Sequence, residues 1–255
     1  PSRVSAKHQS LLHFVGQAPW SDEALLARVR DRVLPRIERH GPIRAWIVDD
    51  TGFPKKGRHS VGVARQYCGQ LGKQDNCQVA VSLSVANEAA SLPIAWRLYL
   101  PRAWAEDPEL RRKARIPAEI GFQTKPQIAL EQIRTAKARG IAPGVVLADA
   151  GYGADGSFRA GLTQLGLAYV VGVQPTLSVW RPGEGPLPPK PWSGKGRPPS
   201  RLVRTGDHKP ISAKALAEAL PAPAWQTVTW REGTNAALGS RFAAVRLRPA
   251  SRDVD

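Results

Sequence analysis

Arg44-Ala-Trp-Ile-Val-Asp-Asp-Thr-Gly52 and Gly144-Val-Val-Leu-Ala-Asp-Ala-Gly-Tyr-Gly153 decide how this chain is read. Each is a short apolar run that stops at an aspartate and breaks into glycine. That is the pattern of a parallel strand buried on both faces and ending in a turn. Open sheets bind ligands outside the carboxyl ends of their strands. Two carboxylates brought there, in a basic chain, point to metal-dependent chemistry on a phosphate backbone. The competing reading makes both aspartates mere polar caps on sheet ends. The shared turn type, aspartate then a small residue then glycine, argues against it.

Working outward, the 255 residues suffice for one large domain or two small ones, and 42% apolar content excludes a disordered chain. No apolar run approaches the roughly 20 residues that span a membrane. The opening Pro-Ser-Arg-Val-Ser lacks a signal peptide's apolar segment, and the chain has no methionine, which reads as a piece cut from something longer. A formal charge of +16 and a pI near 10.6 attract polyanions, nucleic acid first. Cys68 and Cys77 form no CxxC pair and the five histidines are scattered, which argues against structural zinc. Two cysteines in a chain of this size suit a reducing cytoplasm.

Residues 1–40 read as a helical N-terminal segment. Ser21 is a cap with acids behind it, Trp20 a hydrophobic staple, and Leu25, Val29 and Val33 one apolar face. Ala45–Asp50 is the first strand. From Thr51 to Gln74 come five basic residues, Lys55, Lys56, Arg58, Arg65 and Lys73, and no acid. A glycine-punctuated basic stretch beside a carboxylate site can hold phosphates, although its spacing is not that of a P-loop. Residues 77–86 and 92–100 form a hairpin across Asn87–Ser91, so three antiparallel strands open the domain. Residues 101–123 are a polar connection whose Arg111-Arg-Lys-Ala-Arg115 is either a solvated face or a phosphate contact. Thr124 caps a helix with Pro126 in its first turn, Ile128, Ile133 and Ala136 on one face, and Gly140 at its stop. Val145–Asp149 is the fourth strand, 158–165 a short helix, and 168–173 a fifth, fully apolar strand.

Three strands, helix, strand, helix, strand is the order of a ribonuclease H-like core, an α/β (α+β) fold with a mixed sheet and flanking helices. In it the first and fourth strands are neighbours, which brings Asp50 and Asp149 together. The core is expected over 41–173. Residues 174–255 read as a basic Pro/Gly-rich loop followed by a β-rich insertion module, with β-type runs at 225–231 and 241–248 around a helical patch at 212–220. Basic residues there outnumber acidic ones 13 to 6. Trp180, Trp192, Trp225 and Trp230 either stack on unpaired bases or fill the module's core; for any one of them the core is the better expectation.

Val48-Asp-Asp-Thr-Gly-Phe-Pro-Lys-Lys-Gly57, Ser60-Val-Gly-Val-Ala-Arg-Gln-Tyr67 and Ala148-Asp-Ala-Gly-Tyr-Gly153 together resemble the DDE transposases of bacterial insertion sequences. The match is to the branch with a β-rich insertion before its last catalytic helix, and it covers residues 41–255 in order. The resemblance implies Asp50 and Asp149 as catalytic, metal-binding acids for Mg²⁺ or Mn²⁺. It also implies two-metal cleavage and strand transfer of DNA. Asp49 is the lesser choice, because one register step turns a side chain to the opposite sheet face. The family's partners are insertion-sequence ends and target DNA, usually engaged by a homodimer, in the bacterial cytoplasm at the nucleoid.

The family's third acid is a glutamate in a Tyr-x2-Arg-x3-Glu-x6-Lys helix, which is expected after the module and is missing from the sequence. Glu232 sits in a β-type run that the resemblance assigns to the insertion; Glu184, Glu218, Asp253 and Asp255 have weaker contexts. The expectation is a transposase fragment lacking its third acid. A non-catalytic nucleic-acid-binding remnant, or a structure-selective nuclease on the same core, are the alternatives.

Overall fold

The computed structural model describes residues 3–17, 21–200, 202–232 and 236–250. Contacts divide the chain into two compact units, Pro1–Gly172 and Val173–Asp255.

The first unit opens with helices α1 (Arg3–Gln17) and α2 (Asp22–Glu38). Ser21 caps α2, its hydroxyl accepting from the Ala24 amide at 3.3 Å, with Asp22 and Glu23 favourably placed in the first turn. Val29, Val33 and Leu34 pack on the core and Ile37 is buried in it. Leu25, expected on that face, is 54% exposed. The inward stripe runs from Leu26, one position later, because the phase is set by the contact of Ile37 and Val33 with the sheet. The staple residue Trp20 lies outside the described residues.

The sheet is built from β1 (Ala45–Pro54), β2 (Ala64–Cys68), β3 (Lys73–Ala86), β4 (Ser91–Leu98), β5 (Val145–Ala148) and β6 (Tyr169–Val171). Among the described residues it has six strands in the order β2-β3-β1-β5-β6, with β4 on β3 as well. β1 lies antiparallel to β3 from Ala45↔Ala86 to Pro54↔Cys77, and parallel to β5 through Trp46↔Val146. Four antiparallel strands therefore open the unit rather than three. The extra one, β2, pairs with the part of β3 that runs beyond β4, where Arg65 faces Asn76.

The polar connection folds further than expected. Helices α3 (Arg102–Glu106) and α4 (Pro108–Ala114) enclose a small cluster of Val63, Leu100 and Trp104. The Trp104 indole donates to the Val63 carbonyl at 2.8 Å. Helix α5 (Lys125–Ala138) has the capping box of Thr124 and Gln127, buries Ile128, Ile133 and Ala136, and ends at Gly140 with φ +72. Helix α6 (Ala150–Gly153) is one turn and α7 (Gly156–Gln164) is capped by Asp155. The core joins α2, α5 and α7 to the sheet face that carries Trp46, Val48, Val81, Leu83, Val85 and Val146. This strand order and these crossovers are those of a ribonuclease H-like mixed sheet.

β6 falls within the fully apolar strand expected at 168–173, and it lies at an edge of the sheet. It is the last strand of the order; Tyr169 and Val171 pack on the core, while Val170 between them is 67% exposed. Apolar composition alone does not distinguish an edge from a centre.

The second unit contains a three-stranded sheet in the order β11-β7-β8: β7 (Ser178–Trp180), β8 (Ile211–Ser212) and β11 (Arg248–Pro249). Helix α8 (Ala213–Ala219) is capped by Ser212. β9 (Gln226–Glu232) and β10 (Ala237–Phe242) form a separate antiparallel ribbon with a register shift at Leu238/Gly239. No described helix is long and apolar enough to cross a membrane.

Candidate active site

Asp50 and Asp149 reach the same end of the sheet because β1 and β5 are adjacent and parallel. Asp50 follows Trp46 and Val48 at two-residue intervals, so its side chain projects on the helix-covered face, opposite Val81. Asp49 is exposed on the other face. Its carboxylate accepts from the Asp50 amide at 2.8 Å, and its carbonyl accepts from the Ser82 hydroxyl at 3.2 Å.

Asp149 is not the last residue of its strand, as expected, but the N-cap of α6. Its Oδ1 accepts from the Gly151 amide at 2.9 Å and the Tyr152 amide at 3.4 Å. The turn is held tightly against β6: a Cβ on Gly153 would run into the Gly172 carbonyl, and one on Gly172 would lie 2.7 Å from the Ala150 nitrogen. The two glycines thus let the backbone of α6 sit directly on the sheet end.

Tyr152 joins the two carboxylates. Its amide faces Asp149, and its phenol donates to Asp50 Oδ1. The ring is 3% exposed and lies 5.9 Å from Phe158. Burial, then the charge of Asp50, pushes the phenol far above its ordinary value of 10.0, so it remains a neutral donor. The other oxygen of Asp50 is taken by Lys125 at the start of α5, Nζ to Oδ2 at 2.5 Å. Sequence reading passed over both partners. Tyr152 stood inside the quoted aspartate motif. Lys125 carried a fainter signal, a cation in the first turn of a helix, where the dipole disfavours it.

The donor chemistry of Asp50 and Asp149 fits a hard divalent cation such as Mg²⁺ or Mn²⁺. Among the described residues no group of three or more His, Cys, Asp or Glu side chains is placed to hold a metal ion. By themselves the two aspartates would fill only part of such an ion's coordination shell. Glu232 ends β9 in the second unit, opposite Ala237. Asp253 and Asp255 lie outside the described residues.

The five basic residues are less of a loop than expected. β1 continues to Pro54, and the Asn76 side chain donates to the carbonyls of Lys55 and Gly57 at 2.7 and 2.9 Å, fixing the strand's exit. Lys56 and Arg58 project into solvent beyond it, and Arg65 lies exposed on β2. Lys73 pairs with Asp75 at 3.3 Å, just past the acid-free stretch. The Arg111 cluster divides by residue. Arg111 turns inward, bonding the carbonyls of Ala105, Ile120 and Pro117 at 3.2, 2.7 and 2.8 Å, so it is an internal brace; Lys113 pairs with Glu109 at 2.6 Å. Cys68 and Cys77 are free thiols buried with Val79, and burial and the neighbouring thiol push Cys77 up.

A family model described as DDE superfamily endonuclease matches residues 2–237. A probable transposase for insertion sequence element IS701 from Microchaete diplosiphon is 34% identical over 167 residues, which are 65% of this chain and 40% of that protein. The chain thus spans about two fifths of the length of this curated relative. A sheet that delivers Asp50 and Asp149 together, with a family match over nearly its whole length, places the chain in the DDE superfamily of endonucleases.

Proposed function

We propose that this chain is the part of an insertion-sequence transposase that carries two of its three metal-binding acids and part of its DNA-binding surface. The observation that supports this best is the meeting of Asp50 and Asp149 around Tyr152, where β5 ends beside the middle of β1. In this reading Asp50 and Asp149 hold the divalent cations. A cation held there would supply Lewis-acid chemistry, polarising a phosphodiester and lowering the pKa of water or a 3′-hydroxyl. Tyr152 fixes the Asp50 carboxylate through Oδ1, and the α6 amides fix Asp149. Lys55, Lys56, Arg58, Arg65 and Lys73 bind DNA phosphates, positioning the duplex without reading its sequence. The third carboxylate comes from sequence outside the described residues, for which the longer relative leaves room. The working assembly is a homodimer on paired insertion-sequence ends in the bacterial cytoplasm.

The test measures DNA binding and divalent-dependent nicking by the 255-residue chain. Five phosphate contacts predict an affinity that drops about 10²- to 10³-fold between 50 and 200 mM salt. The chain alone is expected to bind DNA and not to cut it. Nicking that vanishes in Asp50→Asn or Asp149→Asn would show that the chain already holds a complete site. DNA binding without any metal binding that depends on these aspartates would instead leave a nucleic-acid-binding protein.

A further inference from the structure

Lys125 sits where several costs meet. It is the first residue of α5, capped by Thr124, where the helix's partial positive charge opposes an ammonium. Its side chain and that of Asp50 are only 26% and 34% exposed. Its ammonium lies 5.5 Å from the centre of the Tyr99 ring, and among the described residues its carboxylate partner is Asp50 Oδ2. The charged and titratable groups around Asp50 are Asp49 on its own strand, Lys125 from α5, and Tyr152 and Asp149 from the α6 turn. Of the two groups bonded to Asp50, Tyr152 is anchored by burial. Lys125 is a charge on a flexible four-carbon stem.

We infer that Lys125 is a placeholder cation: it pairs with Asp50 Oδ2 when no metal is bound, and gives that oxygen up to an incoming divalent ion. This rests on the reading of Asp50 as a metal ligand. Lys125 is then a positioning residue. It keeps the carboxylate in a fixed direction and lowers apparent metal affinity by competing for the same oxygen. A pair formed about nine-tenths of the time leaves about one site in ten competent, which weakens apparent binding about tenfold.

The experiment titrates the full chain with Mn²⁺ at fixed ionic strength and follows free Mn²⁺ by electron paramagnetic resonance. The proteins are wild type, Lys125→Met, Lys125→Arg, Asp50→Asn and, as a control for loss of one charge elsewhere on the same helix, Arg134→Met. Lys125→Met is expected to bind about tenfold more tightly than wild type, with Lys125→Arg close to wild type and Arg134→Met within about twofold. Lys125→Met is also expected to lose thermal stability without metal and to regain more on adding Mn²⁺ than wild type does. If Lys125→Met does not fold, Lys125→Gln takes its place in both measurements. Unchanged or weaker binding in Lys125→Met (or Lys125→Gln), with binding still abolished by Asp50→Asn, overturns the placeholder alone. Equal Mn²⁺ binding by wild type and Asp50→Asn, or none by any variant, overturns the metal-ligand reading and the placeholder with it.

Discussion

In the first unit Trp46 and Trp104 are 0% and 6% exposed, and each indole donates to a backbone carbonyl, Ala142 and Val63. In the second unit Trp180 is as completely buried, yet Trp192 and Trp230 are 54% and 55% exposed. The first unit closes twenty buried residues into one core across a six-stranded sheet. In the second, Val179, Trp180, Leu216 and Ala250 are buried, and the β9–β10 ribbon is exposed. Val228, Trp230 and Phe242 are all more than 40% exposed on that ribbon. In the first unit Trp46 and Trp104 hold shape, while Phe14, Phe53, Tyr67 and Trp96 are exposed on its surface. In the second, one holds shape and others form surface, and exposed apolar clusters of that kind mark places of contact.

The strongest way to break this contrast is to truncate its two buried tryptophans. Trp46→Ala should cost the first unit about 3–5 kcal/mol, and Trp180→Ala should cost the second unit a comparable amount. Hydrogen exchange read peptide by peptide should show each loss confined to its own unit. Exchange that rises equally in both would mean they unfold together. Next in size is Gly153→Ala, which sets a Cβ against the Gly172 carbonyl. It should cost about 1–3 kcal/mol in denaturant unfolding and displace Tyr152 from Asp50. Wild-type stability in this variant would mean that the α6 turn is looser than its packing.

Trp230→Ala should change stability by no more than about 0.5 kcal/mol while weakening DNA binding. A loss comparable to that of Trp180→Ala would make Trp230 a core residue and remove the contrast. The smallest effect is electrostatic. Gln123, then Arg97, hold the Glu131 carboxyl below its ordinary value of 4.5. The folded state thus gains from the ionised form. That gain is present above pH 4.5 and is lost as pH falls through the lowered value. Glu131 is 49% exposed, so screening leaves a few tenths of a kcal/mol at most, about the worth of a surface pair. Glu131→Gln should flatten the acid limb of the stability curve by that amount.

Much of the architecture was legible because it depends on short-range pattern. Apolar runs stopping at Asp50 and Asp149, the caps at Ser21 and Thr124, and the element order all follow from periodicity and turn chemistry within a few residues. That order, combined with the rules of sheet connection, was enough to set β1 beside β5. Other features were settled only by neighbours distant in the chain. Lys125 meets Asp50 across 75 residues of sequence, and Tyr152 meets it across 102. Asp149 became a helix cap because β5 ends at Ala148 and a helical turn, α6, follows directly. Val170 is exposed because it points to the sheet face opposite the core, between Tyr169 and Val171, which pack on that core. Trp180 and Trp230 have the same side chain and opposite exposures. A sequence pattern records what a residue can bury or bond; whether it does so depends on which distant surface the fold brings against it.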